Sequence, residues 1–183
     1  MTPEELNNWA IKILKENKML LKRNDLDAFY EKMRDEWGNG YLSSFTQFFL
    51  SRGANPLSYF KKSIPEWCFA NLKIGEKNIS INEGIKTVGY ASFYGCKDLE
   101  EITFPSSLEE IGSSVFKGCK NLRKVTFKSV PKLKGAIFSN NPRLTDIYLP
   151  KPKDDYETTK LNWTINHLFY KDIDQDKLNI HYI

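Results

Sequence analysis

FYGCKDLEEITF, residues 93–104, returns as FKGCKNLRKVTF at residues 116–127, an offset of 23. Aligning outward from the pair gives the columns Phe93, Phe116 and Phe138; Leu99, Leu122 and Leu144; Ile102, Val125 and Ile147; Phe104, Phe127 and Leu149. Upstream, at offsets of 23 and then 22, stand Ile85, Leu108 and Val130, then Val88, Ile111 and Leu133. Alternation over L-x-x-[IV]-x-[FL] is that of a half-buried strand, while the preceding Gly-Cys and the following Pro or Ser punctuate turns. One such unit cannot bury its apolar side alone, so the units stack and share a continuous core. Ile79-Ser80-Ile81 is a worn earlier copy with Glu76 where a leucine is expected, and the third full copy carries Asn140-Asn141-Pro142 instead of the Gly-Cys turn.

The pattern in IGSSVFKGCKNLRKVTF, residues 111–127, resembles the BspA-like leucine-rich repeats over about residues 73–150. That resemblance implies short strands lining one face of a solenoid, and a role in adhesion or protein recognition. Here the Cys precedes the strand, unlike the commoner leucine-rich repeat, so a strongly curved horseshoe is not implied.

Residues 1–70 lack the period and read as a helical domain capping the solenoid. Thr2-Pro3-Glu4-Glu5 has the makings of a capped helix start, with Leu6, Trp9, Ile13 and Leu14 on one face. A second helix is expected from Asp25 to Trp37, with Leu26, Phe29, Tyr30, Met33 and Trp37 inward. A third spans about Tyr41 to Ser51 with Gly53 suited to its end, and Asn55-Pro56 opens a fourth that Ile64-Pro65 terminates. Helices placed directly before such repeats loosely resemble an arrangement in small proteins of gut bacteria and their tailed phages. Residues 71–150 form the repeats, and 151–183 a second cap with a short helix near Asn162–Tyr170 and a final strand. On that strand Ile180 and Tyr182 extend the Ile147 and Leu149 ladders. The fold class is therefore α+β: a helical domain, a short leucine-rich-repeat β-solenoid and a C-terminal cap.

Composition bounds the chemistry. With 183 residues, 40% of them hydrophobic and 14% aromatic, the chain folds. MTPEELNNWA has no apolar stretch of an export signal, and no apolar run nears the ~18 residues of a membrane helix, so a cytoplasmic protein with no membrane association is expected. Cys68, Cys96 and Cys119 have no metal-ligand spacing, and His167 and His181 lie far off. Cys96 and Cys119 share a ladder position, which suits either a disulfide or a buried thiol ladder. Nucleophile-elbow, phosphate-loop and zinc-helix motifs are all missing, so neither catalysis nor a cofactor is expected. The nearest approach to a polar cluster, Glu66-Trp67-Cys68, reads as a domain junction.

Two surfaces could act. Outward strand positions form one row, Ser80, Thr103, Thr126 and Tyr148, flanked by Glu101, Lys124 and Asp146; this face is expected to bind a protein partner. By the phage resemblance, that partner is a host defence protein and the chain its inhibitor. The alternative rests on charge. Residues 76–110 hold 7 acids and 3 bases, whereas 111–145 hold 8 bases and no acid: Lys117, Lys120, Arg123, Lys124, Lys128, Lys132, Lys134 and Arg143. Such a block suits nucleic acid. Neither the partner's identity nor the oligomeric state follows from the residues.

Overall fold

In the computed structural model, which describes residues 3–16, 26–159, 161 and 178–183, the 23-residue repeat becomes a coil carrying two short strands. One parallel sheet runs β1 (Ser63–Ile64), β3 (Thr87–Val88), β5 (Glu110–Ile111) and β7 (Lys132–Leu133). The other runs β2 (Asn78–Ser80), β4 (Glu101–Phe104), β6 (Lys124–Phe127), β8 (Asp146–Leu149) and β9 (Asn179–Tyr182). Registers match the sequence columns: Ile102 pairs with Val125 and Val125 with Ile147, while Val88 pairs with Ile111 and Ile111 with Leu133. Ile180 and Tyr182 do extend the ladders of Ile147 and Leu149.

Between the sheets the phenylalanines pile into one column. Phe69, Phe93, Phe116 and Phe138 stack with centroids 5.1, 5.5 and 5.5 Å apart and planes within 15° of parallel. Phe104 and Phe127 form a shorter stack at 5.0 Å. Such pairs add about 0.5–1.5 kcal/mol each beyond their buried area. Phe69 shows that the solenoid starts earlier than the expected boundary at residue 70. Its first coil opens at β1 and is one residue longer than the 23-residue coil that follows, Ile64 pairing with Val88 and Val88 with Ile111, which takes Phe69 out of the period.

The turn before each long strand has a conformational reason for its residues. Asn71, Gly95, Gly118 and Asn140 all sit at positive φ, 60°, 62°, 77° and 58°, a region glycine and asparagine tolerate. Asn140 therefore does the work of Gly118 in the coil that had seemed to drift. Its neighbour Asn141 does the work of cysteine. Cys96 Sγ donates to the Phe69 carbonyl at 3.2 Å, Cys119 Sγ to that of Phe93 at 3.0 Å, and Asn141 Nδ2 to that of Phe116 at 2.9 Å. All three cysteines are free and buried, and the thiols of Cys96 and Cys119 engage the coil before theirs. Gly89 and Gly112 mark close coil approaches: a Cβ would lie 2.6 Å from the Glu66 amide nitrogen at the first and 2.7 Å from that of Tyr90 at the second.

Three helices precede the solenoid: α1 (Pro3–Glu16), α2 (Leu26–Trp37) and α3 (Leu42–Leu50). Leu26, Phe29, Tyr30 and Met33 face inward as expected, but Trp37 is 42% exposed, because α2 runs past the core after Met33. Gly53 closes α3 at φ 75°, its amide donating to the Leu50 carbonyl. The expected fourth helix is a single 3-10 turn, Pro56–Ser58, capped by Asn55 through the Leu57 amide. The chain must be extended by Ser63 to pair with β3, which leaves no room for more, and Ile64-Pro65 belongs to a strand end rather than a helix end. The expected cap at Thr2, the second helix's start at Asp25, the short helix at Asn162–Tyr170 and His167 lie outside the described residues. Of the apolar face of α1, Ile13 is buried.

Helices and solenoid share one hydrophobic cluster. Tyr30 meets Phe60 at 5.1 Å, Phe60 meets Phe69 at 6.4 Å, and Phe69 begins the stack. A buried polar knot reinforces the join, with the Tyr30 hydroxyl 2.7 Å from Thr46 Oγ1 and that oxygen 3.2 Å from Cys68 Sγ. The helices thus cover the first end of the repeat array, which a stack of open coils requires.

Phe116 touches Phe93, Phe138 and Phe104, so Phe116→Ala is expected to destabilise by about 3–5 kcal/mol in denaturant unfolding. Asn141→Cys should have the opposite sign. It keeps a donor for the Phe116 carbonyl and removes the buried, unpartnered Oδ1 of Asn141, so unfolding should require ~1 kcal/mol more.

Candidate interaction surface

Strand alternation splits the five-stranded sheet into a buried ladder and an outward face. Outward, Ser80 pairs with Thr103, Thr103 with Thr126, Thr126 with Tyr148, and Tyr148 with His181. The second row is Asn78, Glu101, Lys124, Asp146 and Asn179. All seven residues expected on this face are there, and His181, Asn78 and Asn179 join them. The pairing of β9 with β8 was legible from Ile180 and Tyr182; what a linear reading missed is that this register sets His181 opposite Tyr148 and Asn179 opposite Asp146.

One end of the face is internally bonded. The Tyr148 and His181 rings stack at 4.3 Å and 16°, and Lys124 Nζ lies 4.8 Å over the tyrosine ring. His181 Nε2 is 2.8 Å from Asp146 Oδ1, while Thr145 Oγ1 donates to Asp146 Oδ2 at 2.7 Å. These bonds, that of His181 foremost, hold the Asp146 carboxyl below the usual aspartate range. Lys124 also reaches Glu101, 3.8 Å away, and Arg123 bridges Glu100 and Glu101. At the other end Ser80, Thr103 and Thr126 have no side-chain hydrogen bond among the described residues. Three hydroxyls in register, beside an anchored aromatic pair, form a stiff surface with unspent hydrogen-bonding capacity.

The basic block has a different fate. Arg123 and Lys124 pair with the acids one coil earlier, Lys128 lies 3.8 Å from Glu83, and Lys134 lies 2.7 Å from Glu110. Arg143 donates to Asn121 Oδ1 at 3.1 Å. The lopsided charge is therefore an acidic coil stacked on a basic one, a pattern readable as opposite charges about 23 residues apart. Lys117, Lys120 and Lys132 alone of the eight lack a side-chain partner among the described residues. Nor does the junction offer a nucleophile, since burial pushes the Cys68 thiol up to about 12 and Glu66 accepts from Asn39 Nδ2 at 2.8 Å.

A capped parallel β-solenoid with a side-chain-lined sheet face is the architecture of a repeat scaffold. A profile of the BspA type leucine rich repeat region, in 6 copies, matches residues 61–163, and the chain belongs to that family. No curated protein and no solved structure matches it. Leucine-rich repeats form non-enzymatic scaffolds and generally mediate protein–protein interaction.

The depressed Asp146 carboxyl has a checkable sign. A carboxyl held low in the fold contributes stability above its unfolded value and loses it as pH falls through the folded one. Asp146→Asn should therefore melt earlier than the parent at pH 7, and the gap should close below about pH 4 as both chains carry a neutral group.

Proposed function

We propose that this chain is a non-enzymatic protein-binding module that docks one partner on the outward face of its long-strand sheet. The observation that carries the reading is the row Ser80, Thr103, Thr126, Tyr148 and His181, with three unbonded hydroxyls ending in a stacked aromatic pair. A partner strand or loop laid across it would meet hydrogen-bonding groups at every coil and, at the end, a tyrosine, a residue type enriched at binding hot spots. Ordering costs are small because Asp146 and Lys124 already hold the ring pair in place.

The free, buried thiols of Cys68, Cys96 and Cys119 support a reducing compartment, hence a cytoplasmic partner. A narrower form of the proposal makes that partner a host defence protein and the chain its phage-encoded inhibitor; it rests on the loose likeness of the helical domain alone. The nucleic-acid alternative is weakened because four of the eight bases, Arg123, Lys124, Lys128 and Lys134, sit on acids of earlier coils.

Thr126→Arg with Tyr148→Arg should abolish capture of the partner in a pull-down from native extract, with the melting temperature shifted by a few degrees at most. Undiminished capture by that variant would move the interface off this face.

A further inference from the structure

The edge formed by the left-handed turns carries a second surface. Lys73, Lys97 and Lys120 each follow the ladder position that Leu72, Cys96 and Cys119 occupy, so they stand in one column. Successive rings in the neighbouring phenylalanine column are 5.1 and 5.5 Å apart, and the lysine stems advance with the same coils. All three are exposed, and none has a carboxylate partner among the described residues. Lys117, in the coil of Lys120, is equally exposed and unpaired.

Six other bases of the solenoid are paired instead. Lys77, Lys86, Arg123, Lys124, Lys128 and Lys134 each sit on an acid from an adjoining coil or the coil beyond it. The acid of the turn edge, Asp98, spends its carboxylate on the amides of Ile74 and Gly75, at 3.0 and 2.7 Å. Like charges in register repel, and the single charge of Asp98 leaves the column of lysines net positive. Beside it runs a groove of about 420 Å³ lined by Asn71, Tyr94, Lys97, Lys120, Asn121 and Asn140. Tyr94 links the groove to an aromatic group, since Trp67 packs 5.7 Å from Tyr94 and 5.4 Å from Tyr90, itself 40% exposed.

We infer that this edge docks an acidic extended peptide segment of a partner protein, with carboxylates on Lys73, Lys97 and Lys120 and an apolar side chain against Trp67 and Tyr94. The inference rests on the protein-binding reading but uses a different face. An extended chain rises about 3.4 Å per residue and presents same-side carboxylates every ~7 Å, a spacing that flexible lysine stems on successive coils can meet.

Two labelled probes of equal length test it by fluorescence anisotropy with the full chain: a glutamate-rich peptide of about a dozen residues bearing one central Trp, and an oligothymidylate, each at about 50 and 200 mM salt. The peptide should bind, lose at least about tenfold in affinity on Lys97→Glu with Lys120→Glu, and bind Thr126→Arg/Tyr148→Arg like the parent. Lys73→Glu with Lys120→Glu should reproduce the loss and serves as the second variant if the first melts early. No peptide binding at low salt, undiminished binding by both reversed variants, tighter binding of the oligothymidylate, or an equal loss in the sheet-face variant would each overturn the inference. Failure of partner capture by the sheet face would leave these outcomes unchanged, so the two readings fail separately.

Discussion

Stacked phenylalanine rings set the rise of each coil, and nearly every other contact in the solenoid is a consequence of that rise. Rings 5.1–5.5 Å apart, nearly parallel, bring each residue of a coil directly onto its equivalent in the next. Two parallel sheets with matched register follow, because the strands on either side of the column are lifted by the same step. Every column must then be compatible with itself. Phenylalanine is, by stacking; a thiol is, because its hydrogen reaches the carbonyl of the coil before it; a row of like charges is not, unless the next coil changes sign.

Glu100 and Glu101 over Arg123 and Lys124, and then Asp146 over Lys124, show the column rule applied to charge. An acid–base alternation along the stack removes repulsion that a uniform column would carry. The same rule explains why Glu100 is held below the ordinary carboxylate range, chiefly by the bond from Lys77 of the coil before it. At Lys73, Lys97 and Lys120 the column keeps one sign, and water and salt screen these exposed charges.

Much of this was legible in the residues, and what escaped did so for physical reasons. The apolar columns from Ile102 to Ile147 and from Val88 to Leu133 were readable because burial permits few residue types at a fixed spacing. Phe69 escaped because one additional residue in the first coil breaks the count without breaking the stack. Asn140 and Asn141 looked like decay of the turn, since a residue alphabet hides the fact that asparagine shares with glycine a tolerance for positive φ, and with cysteine a donor for the Phe116 carbonyl. Trp37 escaped in the opposite direction: helical spacing placed it inward, but the core ends at Met33, and periodicity carries no information on where a core ends.

The docking face was legible as a set of positions and not as a chemistry. Alternation fixes which side chains point outward, and so Ser80, Thr103, Thr126 and Tyr148 could be named without coordinates. It leaves their identity unconstrained, because an outward side chain never meets the core that enforces the register. The buried columns answer to one requirement, fit to the coil above and below, which is why they repeat. The outward columns are free of that requirement, and along a single row they change from serine through threonine to tyrosine and histidine. Stiffness below and variety above are thus two sides of one strand, and the module can change what it recognises without changing how it folds.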